Sequence, residues 1–260
     1  MPDFAATLRD SFGVFAAHPK LIVPKLIIAV LYSYLLLVTA DLSLQAVQSP
    51  SAGLLVPLLL TLVAVLLVNF VDIGASAMYS FLVEDARKKR GVSLLRSLKA
   101  CFPKAWAIVP SVVLVELAFI ALTFILSVPA SLLFVSESDY FIAYSIAYGL
   151  LLLAVVFFFY LLYPVLVFEK VSALGALKRS FSLSLENCAG VSKATLLSFF
   201  LSVASFAVAF LIELFPQGEG TIVFWVVFIL VRLLTAYVYA YLYILNPVFY
   251  FNYVKGVVGK

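Results

Sequence analysis

"ALKRSFSLSLEN", Ala176 to Asn187, is a polar and basic passage in a chain that is 65% hydrophobic. Its place in that chain decides the fold. On a helical wheel Leu174, Leu177, Phe181, Leu185 and Cys188 fall at steps of three and four, while Lys178, Arg179, Ser182 and Glu186 take the other side. A short helix with an apolar face and a basic face lies in the plane of a membrane interface. The N-terminal "ATLRDSFGVFAAHP" (Ala6 to Pro19) repeats the arrangement, with Phe4, Leu8, Phe12 and Phe15 set against Arg9, Asp10 and Gly13. A looser third version is "SLLRSLKACFPKAW", where Leu95, Leu98 and Phe102 are apolar and Arg96 and Lys99 polar.

The chain around these passages excludes an ordinary soluble domain. Only 12% of its 260 residues are charged, about half the usual share, and the mean hydropathy is +1.19. Crossing ~30 Å of hydrocarbon takes roughly 20 apolar residues in a helix. Six segments qualify, at about 21–40, 54–80, 106–134, 140–167, 191–212 and 221–249. The expectation is an all-α integral membrane protein, a single membrane domain over 1–260. The start lacks the basic region, short apolar block and small-residue cleavage site of a signal peptide, so Leu21 to Ala40 is expected to remain as a span.

The connections separate by charge. The first, third and fifth hold Asp41, Glu137 with Asp139, and Glu219, and no Lys or Arg. The second holds "RKKR" (Arg87, Lys88, Lys89, Arg90) with Arg96, Lys99 and Lys104; the fourth holds Lys170, Lys178, Arg179 and Lys193. Lys255 and Lys260 close the chain. Positive charge marks the cytoplasmic side. Both termini are therefore expected inside a cell (inner) membrane, with Arg9, Arg87 to Arg90, Lys178 and Arg179 facing anionic lipid. The net charge of +4 is topological, so a nucleic-acid partner is not expected. Cys101 and Cys188 fall on the reducing side, and no disulfide is expected.

Leu8-Arg9-Asp10-Ser11-Phe12, Leu98-Lys99-Ala100-Cys101-Phe102 and Leu177-Lys178-Arg179-Ser180-Phe181 each precede an outward span, a short acidic connection and a returning span. The chain therefore reads as three hairpins, each led by an interfacial helix, in repeat units 1–86, 87–168 and 169–260 that pack side by side.

Two stretches carry a resemblance. "AHPKLIVPKLI" (Ala17 to Ile27) and "YPVLVFEKVSALGALKRSFSLSLEN" (Tyr163 to Asn187) resemble corresponding segments of a prokaryotic six-span membrane family. That family is similar to the membrane domain attached to some glycerophosphodiester phosphodiesterases. The soluble phosphodiesterase domain is missing from this sequence, so the resemblance implies a membrane module and carries no hydrolytic activity over.

Charged groups at bilayer depth are the candidate site residues. Glu116 and Arg232 both fall near the midplane, which makes them the expected ion pair; Asp72, with Asn69 a turn away, is expected to meet Lys25. Such pairs either fix helix register or line a solute path. Ser198, Ser202, Ser205 and Ala209 form a small-residue stripe suited to close helix packing. "AYVYAYLYILNPVFYFNY" (Ala236 to Tyr253) fits an interfacial aromatic belt, with Asn246-Pro247 interrupting its backbone ladder; Pro24, Pro110, Pro129 and Pro164 offer the same. His18 is the sole histidine. No hydrolase, phosphate-loop or paired-cysteine metal motif is present, so neither catalysis nor a metal or cofactor is expected. The expected function is to bind or organise lipid, or to support a membrane partner or a second copy. The alternative is a transporter or channel using Glu116, Arg232, Asp72 and Lys25.

Overall fold

A computed structural model describes residues 3–48, 55–133, 137–213 and 222–255. These form ten α-helices and no strand: α1 (Phe4–Ala17), α2 (Val23–Gln48), α3 (Leu55–Arg87), α4 (Leu94–Cys101), α5 (Ala105–Leu133), α6 (Glu137–Phe159), α7 (Leu162–Phe168), α8 (Ala173–Glu186), α9 (Cys188–Glu213) and α10 (Ile222–Phe249). A wider-wound turn over Tyr250–Lys255 continues α10. Six stretches are long and apolar enough to cross a membrane: Pro19–Thr39, Val56–Arg87, Leu94–Val128, Phe141–Phe168, Cys188–Val208 and Val223–Lys255. Their most apolar windows are mostly exposed, with Leu59, Leu60, Leu66 and Leu67 on α3 at the surface. Water does not tolerate so large an apolar surface, but lipid does. The chain is a multi-pass membrane protein.

Neighbouring spans close a ring in which α2 packs on α3, α3 on α5, α5 on α6, α6 on α9, α9 on α10, and α10 back on α2. The main core lies at the basic end of this ring. It gathers Phe15 of α1, Tyr79, Leu82 and Val83 of α3, Leu161 and Val165 around α7, and Ile244, Val248 and Phe249 of α10. The α10 end therefore forms a central post. The aromatic stretch expected as a lipid-facing belt lies largely inside the protein: Tyr250 is fully buried, Tyr253 and Phe249 stack 4.0 Å apart, and Phe168 stacks on Tyr250. Helix–helix packing buries most of this length of α10, while Tyr237 remains exposed.

The Phe249–Tyr253 stack rests on Gly190, where a Cβ would lie 2.7 Å from Tyr253 Cε1 and 3.0 Å from Phe249 Cζ. The parallel rings brace one another, so neither can yield without breaking the stack. Gly190→Ala is expected to destabilise the fold by about 1–3 kcal/mol, as overpacking does. A lowered unfolding temperature in detergent micelles is the readout; an unchanged one would show the rings to be free to move.

The three short helices turn mostly small residues inward. The buried residues of α1 are Thr7, Ser11 and Phe15, of α4 Ser97 and Cys101, and of α8 Ala176, Ser180, Leu183 and Ser184. On the apolar face of the wheel Leu174, Phe181, Leu185 and Cys188 are exposed, as are Phe12 and Phe102, while Leu177 packs partly buried against the core. Small residues let helices approach closely when the surrounding lipid is as apolar as the core.

That contact repairs a break in the fourth span. Pro164 has no N–H for the carbonyl of Tyr160, and the helix interrupts at Tyr160 and Leu161 between α6 and α7. Buried carbonyls need partners. Asn246 Nδ2 of α10 donates to the Tyr160 carbonyl, and the Ser180 and Ser184 hydroxyls of α8 donate to the Phe158 carbonyl at 3.1 and 3.2 Å. Lys104 Nζ donates to the Val167 carbonyl near the end of α7. At the other interruption, "RKKR" ends α3 with Lys89 at a φ of 52°, and Arg90 N–H reaches back to the Asp85 carbonyl at 3.0 Å, a left-handed helix stop.

The side chains of Asp41, Glu137, Asp139, Pro129 and Ala209, and residues Glu219 and Lys260, lie outside what is described.

Candidate functional site

Lys25 sits in the first turn of α2, directly after Pro24, which is tolerated there because first-turn N–H groups have no helical acceptor. The side chain is 5% exposed. Its Nζ lies 2.5 Å from Asp72 Oδ1 and donates to Ser76 Oγ at 2.9 Å. Asp72 and Ser76 are four residues apart on α3 and so share a face. The ammonium also lies 3.8 Å from the ring centroid of Tyr243 on α10. A lysine in that environment needs its partners: a carboxylate, a hydroxyl and an aromatic face supply them. Around Tyr243, Tyr79 stacks at 5.9 Å and Tyr163 meets it edge-on at 6.0 Å; Tyr79 in turn donates to the Leu21 carbonyl at 2.7 Å, tying the start of the first span to α3.

Glu116 has a different neighbour from the one its depth implied. Asn69 Nδ2, a turn before Asp72 on α3, donates to Glu116 Oε2 at 3.2 Å. Arg232 lies with its guanidinium 5.0 Å from the Phe228 ring. Among the described residues the ion pairs include Lys25–Asp72 and none between Glu116 and Arg232. Depth places two residues in one layer of the membrane, whereas the rotation of each helix decides whether they meet.

Two cavities flank α10. One of about 340 Å³ opens between α2, α3 and α10 and is lined by Lys25, Tyr32, Asp72, Arg232, Tyr239 and Tyr243. The other, of about 470 Å³, opens among α5, α6, α7, α9 and α10. Its polar lining includes Glu116, Tyr160, Tyr163, Ser198, Ser202 and Asn246, and the remainder is mostly apolar. Tyr239 and Tyr243 line both cavities and form the wall between them. Two members of the serine stripe thus face a cavity, while Ser205 Oγ donates to Thr235 Oγ1 on α10 at 3.3 Å.

Several of these residues escaped the sequence reading. Tyr239 and Tyr243 carried a signal, a four-residue spacing that sets both on one face of α10, but it was merged into the aromatic stretch around it. Tyr160 and Ser76 carried none.

The basic residues divide into two groups. Arg9, Lys89, Arg90 and Lys178 are exposed. Arg87 is engaged by the protein itself: it donates to Asn252 Oδ1 at 2.5 Å, lies 3.8 Å from Asp10 and covers the Phe251 ring. Arg179 pairs with Glu169 at 3.3 Å and Glu186 at 3.9 Å, and Lys88 pairs with Glu84 at 2.5 Å. Glu169 also accepts from the Tyr250 hydroxyl at 2.9 Å, so Arg179 helps hold α8 to the α10 post.

Among the described residues no cluster of three His, Cys, Asp or Glu side chains is placed to hold a metal. No protein-family model, curated protein or solved structure matches the chain.

Proposed function

We propose that this chain is a non-enzymatic membrane module that binds and organises lipid at the cytoplasmic face of a cell membrane. The reading has six spans in three hairpins, each led by an interfacial helix, with both termini on the cytoplasmic, Lys/Arg-rich side. One observation carries it. Three short helices each bury a face made mostly of small Ser, Thr, Ala or Cys residues, with Phe15 and Leu183 among them, and an exposed phenylalanine stands on each helix or directly after it: Phe12, Phe102 (81% exposed) and Phe181. Trp106, 89% exposed, extends the second of these faces. Outward aromatics beside exposed Arg9, Lys89, Arg90 and Lys178 are the chemistry of a headgroup layer.

Replacing Lys89, Arg90 and Lys178 by Ala is expected to weaken retention of anionic phospholipid by about 1 kcal/mol per residue. Native mass spectrometry of protein released from lipid nanodiscs reads this directly. An unchanged complement of anionic lipid would sink the proposal. These positions suit the test because, unlike Arg87 and Arg179, they are exposed rather than engaged by the protein.

The paired cavities favour a second reading, a solute path gated by Tyr239 and Tyr243. Labelling of Glu116 by a water-soluble carbodiimide would promote it; protection of Glu116 would remove it.

A further inference from the structure

We infer that the larger cavity is a binding site for an organic ammonium ion, a positively charged amine carrying an apolar group. Glu116 is the charged residue in its lining, and no Lys or Arg lines it. Asn69 occupies Glu116 Oε2, which leaves Oε1 as an acceptor. Asn246 has committed its Nδ2 to the carbonyl that Pro164 leaves without a donor, so its Oδ1 is the end that remains. That oxygen and the Tyr160 hydroxyl are buried without a partner among the described residues, in side chains 9% and 7% exposed. A buried polar atom with no partner is costly unless something satisfies it. The amide and carboxylate oxygens only accept hydrogen bonds, and the hydroxyl can accept as well. The ligand must therefore donate.

The walls define the rest of the ligand. Val112, Val155, Leu152 and Leu242 supply an apolar surface, and Tyr163, Tyr239 and Tyr243 supply aromatic rings. Aromatic faces with a carboxylate recognise ammonium groups. An anion would meet acceptors and a negative charge. A small metal ion would find too few charged ligands and too much hydrocarbon. The Lys25 ammonium, 3.8 Å from the Tyr243 ring centroid, does not oppose a cation, because Asp72 neutralises it at 2.5 Å. A cavity of about 470 Å³ falls within the usual range for small-ligand sites. The inference is independent of the lipid-organising reading, since it concerns neither the interfacial helices nor their basic residues.

The test uses the full chain in dodecyl maltoside micelles, titrated calorimetrically with hexylammonium, hexyltrimethylammonium, hexanol and hexanoate. These probes share one chain and differ in charge and in the hydrogens they can donate. Hexylammonium is expected to bind at least about tenfold more tightly than hexanol and hexanoate, as loss of one charged contact implies, and more tightly than hexyltrimethylammonium, which keeps the charge but has no N–H to donate. Equal binding of all four, or binding of none, overturns the inference without recourse to a variant. Glu116→Gln keeps an oxygen for Asn69 while removing the charge, and is expected to weaken ammonium binding by a similar factor. Unchanged affinity in a folded Glu116→Gln protein also overturns it. Nanodiscs of equal phosphatidylethanolamine and phosphatidylglycerol separate the sources. Preferential retention of phosphatidylethanolamine, lost in Glu116→Gln, identifies a lipid headgroup; equal retention of both lipids with hexylammonium still bound identifies a free amine.

Discussion

Asp72→Ala is expected to cost about 3–5 kcal/mol, because it leaves a buried ammonium without its counter-charge. Native proteins have only about 5–15 kcal/mol of stability in total, so much of the folded protein should be lost during purification. Lys25 would retain Ser76 and the Tyr243 ring. A hydroxyl and an aromatic face do not neutralise a charge in an apolar surrounding. The partner experiment separates loss of attraction from the penalty of an orphaned charge. Lys25→Met combined with Asp72→Leu removes both charges and fills similar volume, and should recover most of the stability, since buried pairs exchange well for packed apolar residues. Unfolding temperatures of the two proteins in one detergent decide the matter. If Asp72→Ala alone unfolds at the parental temperature, the pair is not holding α2 against α3. If the double variant is as damaged as the single one, the contact is needed for more than charge balance.

Asn246→Ala should destabilise by about 1–3 kcal/mol, the usual result of leaving a buried carbonyl without a donor. The Tyr160 carbonyl depends on Asn246 because Pro164 stands four residues later and has no N–H to offer. That dependence gives a specific rescue. Pro164→Ala restores the missing donor, so Asn246→Ala should cost clearly less in the Pro164→Ala background than alone. The size of the coupling, about 1 kcal/mol, is that of one net hydrogen bond. The same amide is also part of the ammonium site, but the thermal readout without ligand reports only the repair of the helix break. Strictly additive effects would mean that Asn246 contributes packing rather than its hydrogen bond.

These two results also mark where reading the residues succeeds. Lys25 and Asp72 lie at matching depth on antiparallel consecutive spans, and their contact could be anticipated because adjacent spans are forced together by a short connection. Glu116 and Arg232 also share a depth, but they belong to spans far apart in the chain. Nothing local sets the rotation of α5 relative to α10, and Glu116 instead meets Asn69. The wheel of α8 separates its apolar from its polar residues but does not say which of them meet protein. In lipid, burial of an apolar side chain against protein gains little over burial against acyl chains, so Ala176, Ser180 and Ser184 take the inner face beside Leu183, and Phe181 stays exposed.

Composition and the spacing of apolar runs determined on their own that the chain carries six segments long and apolar enough to cross a membrane. That follows from transfer out of water, which each segment experiences by itself. Only the tertiary structure decided that the Tyr-rich end of α10 is the post of the core, that Asn246 repairs the break beside Pro164, and that Glu116 and Asn246 line one cavity. Those facts depend on the azimuth of each helix and on hydrogen bonds between residues distant in sequence, neither of which a hydropathy pattern encodes.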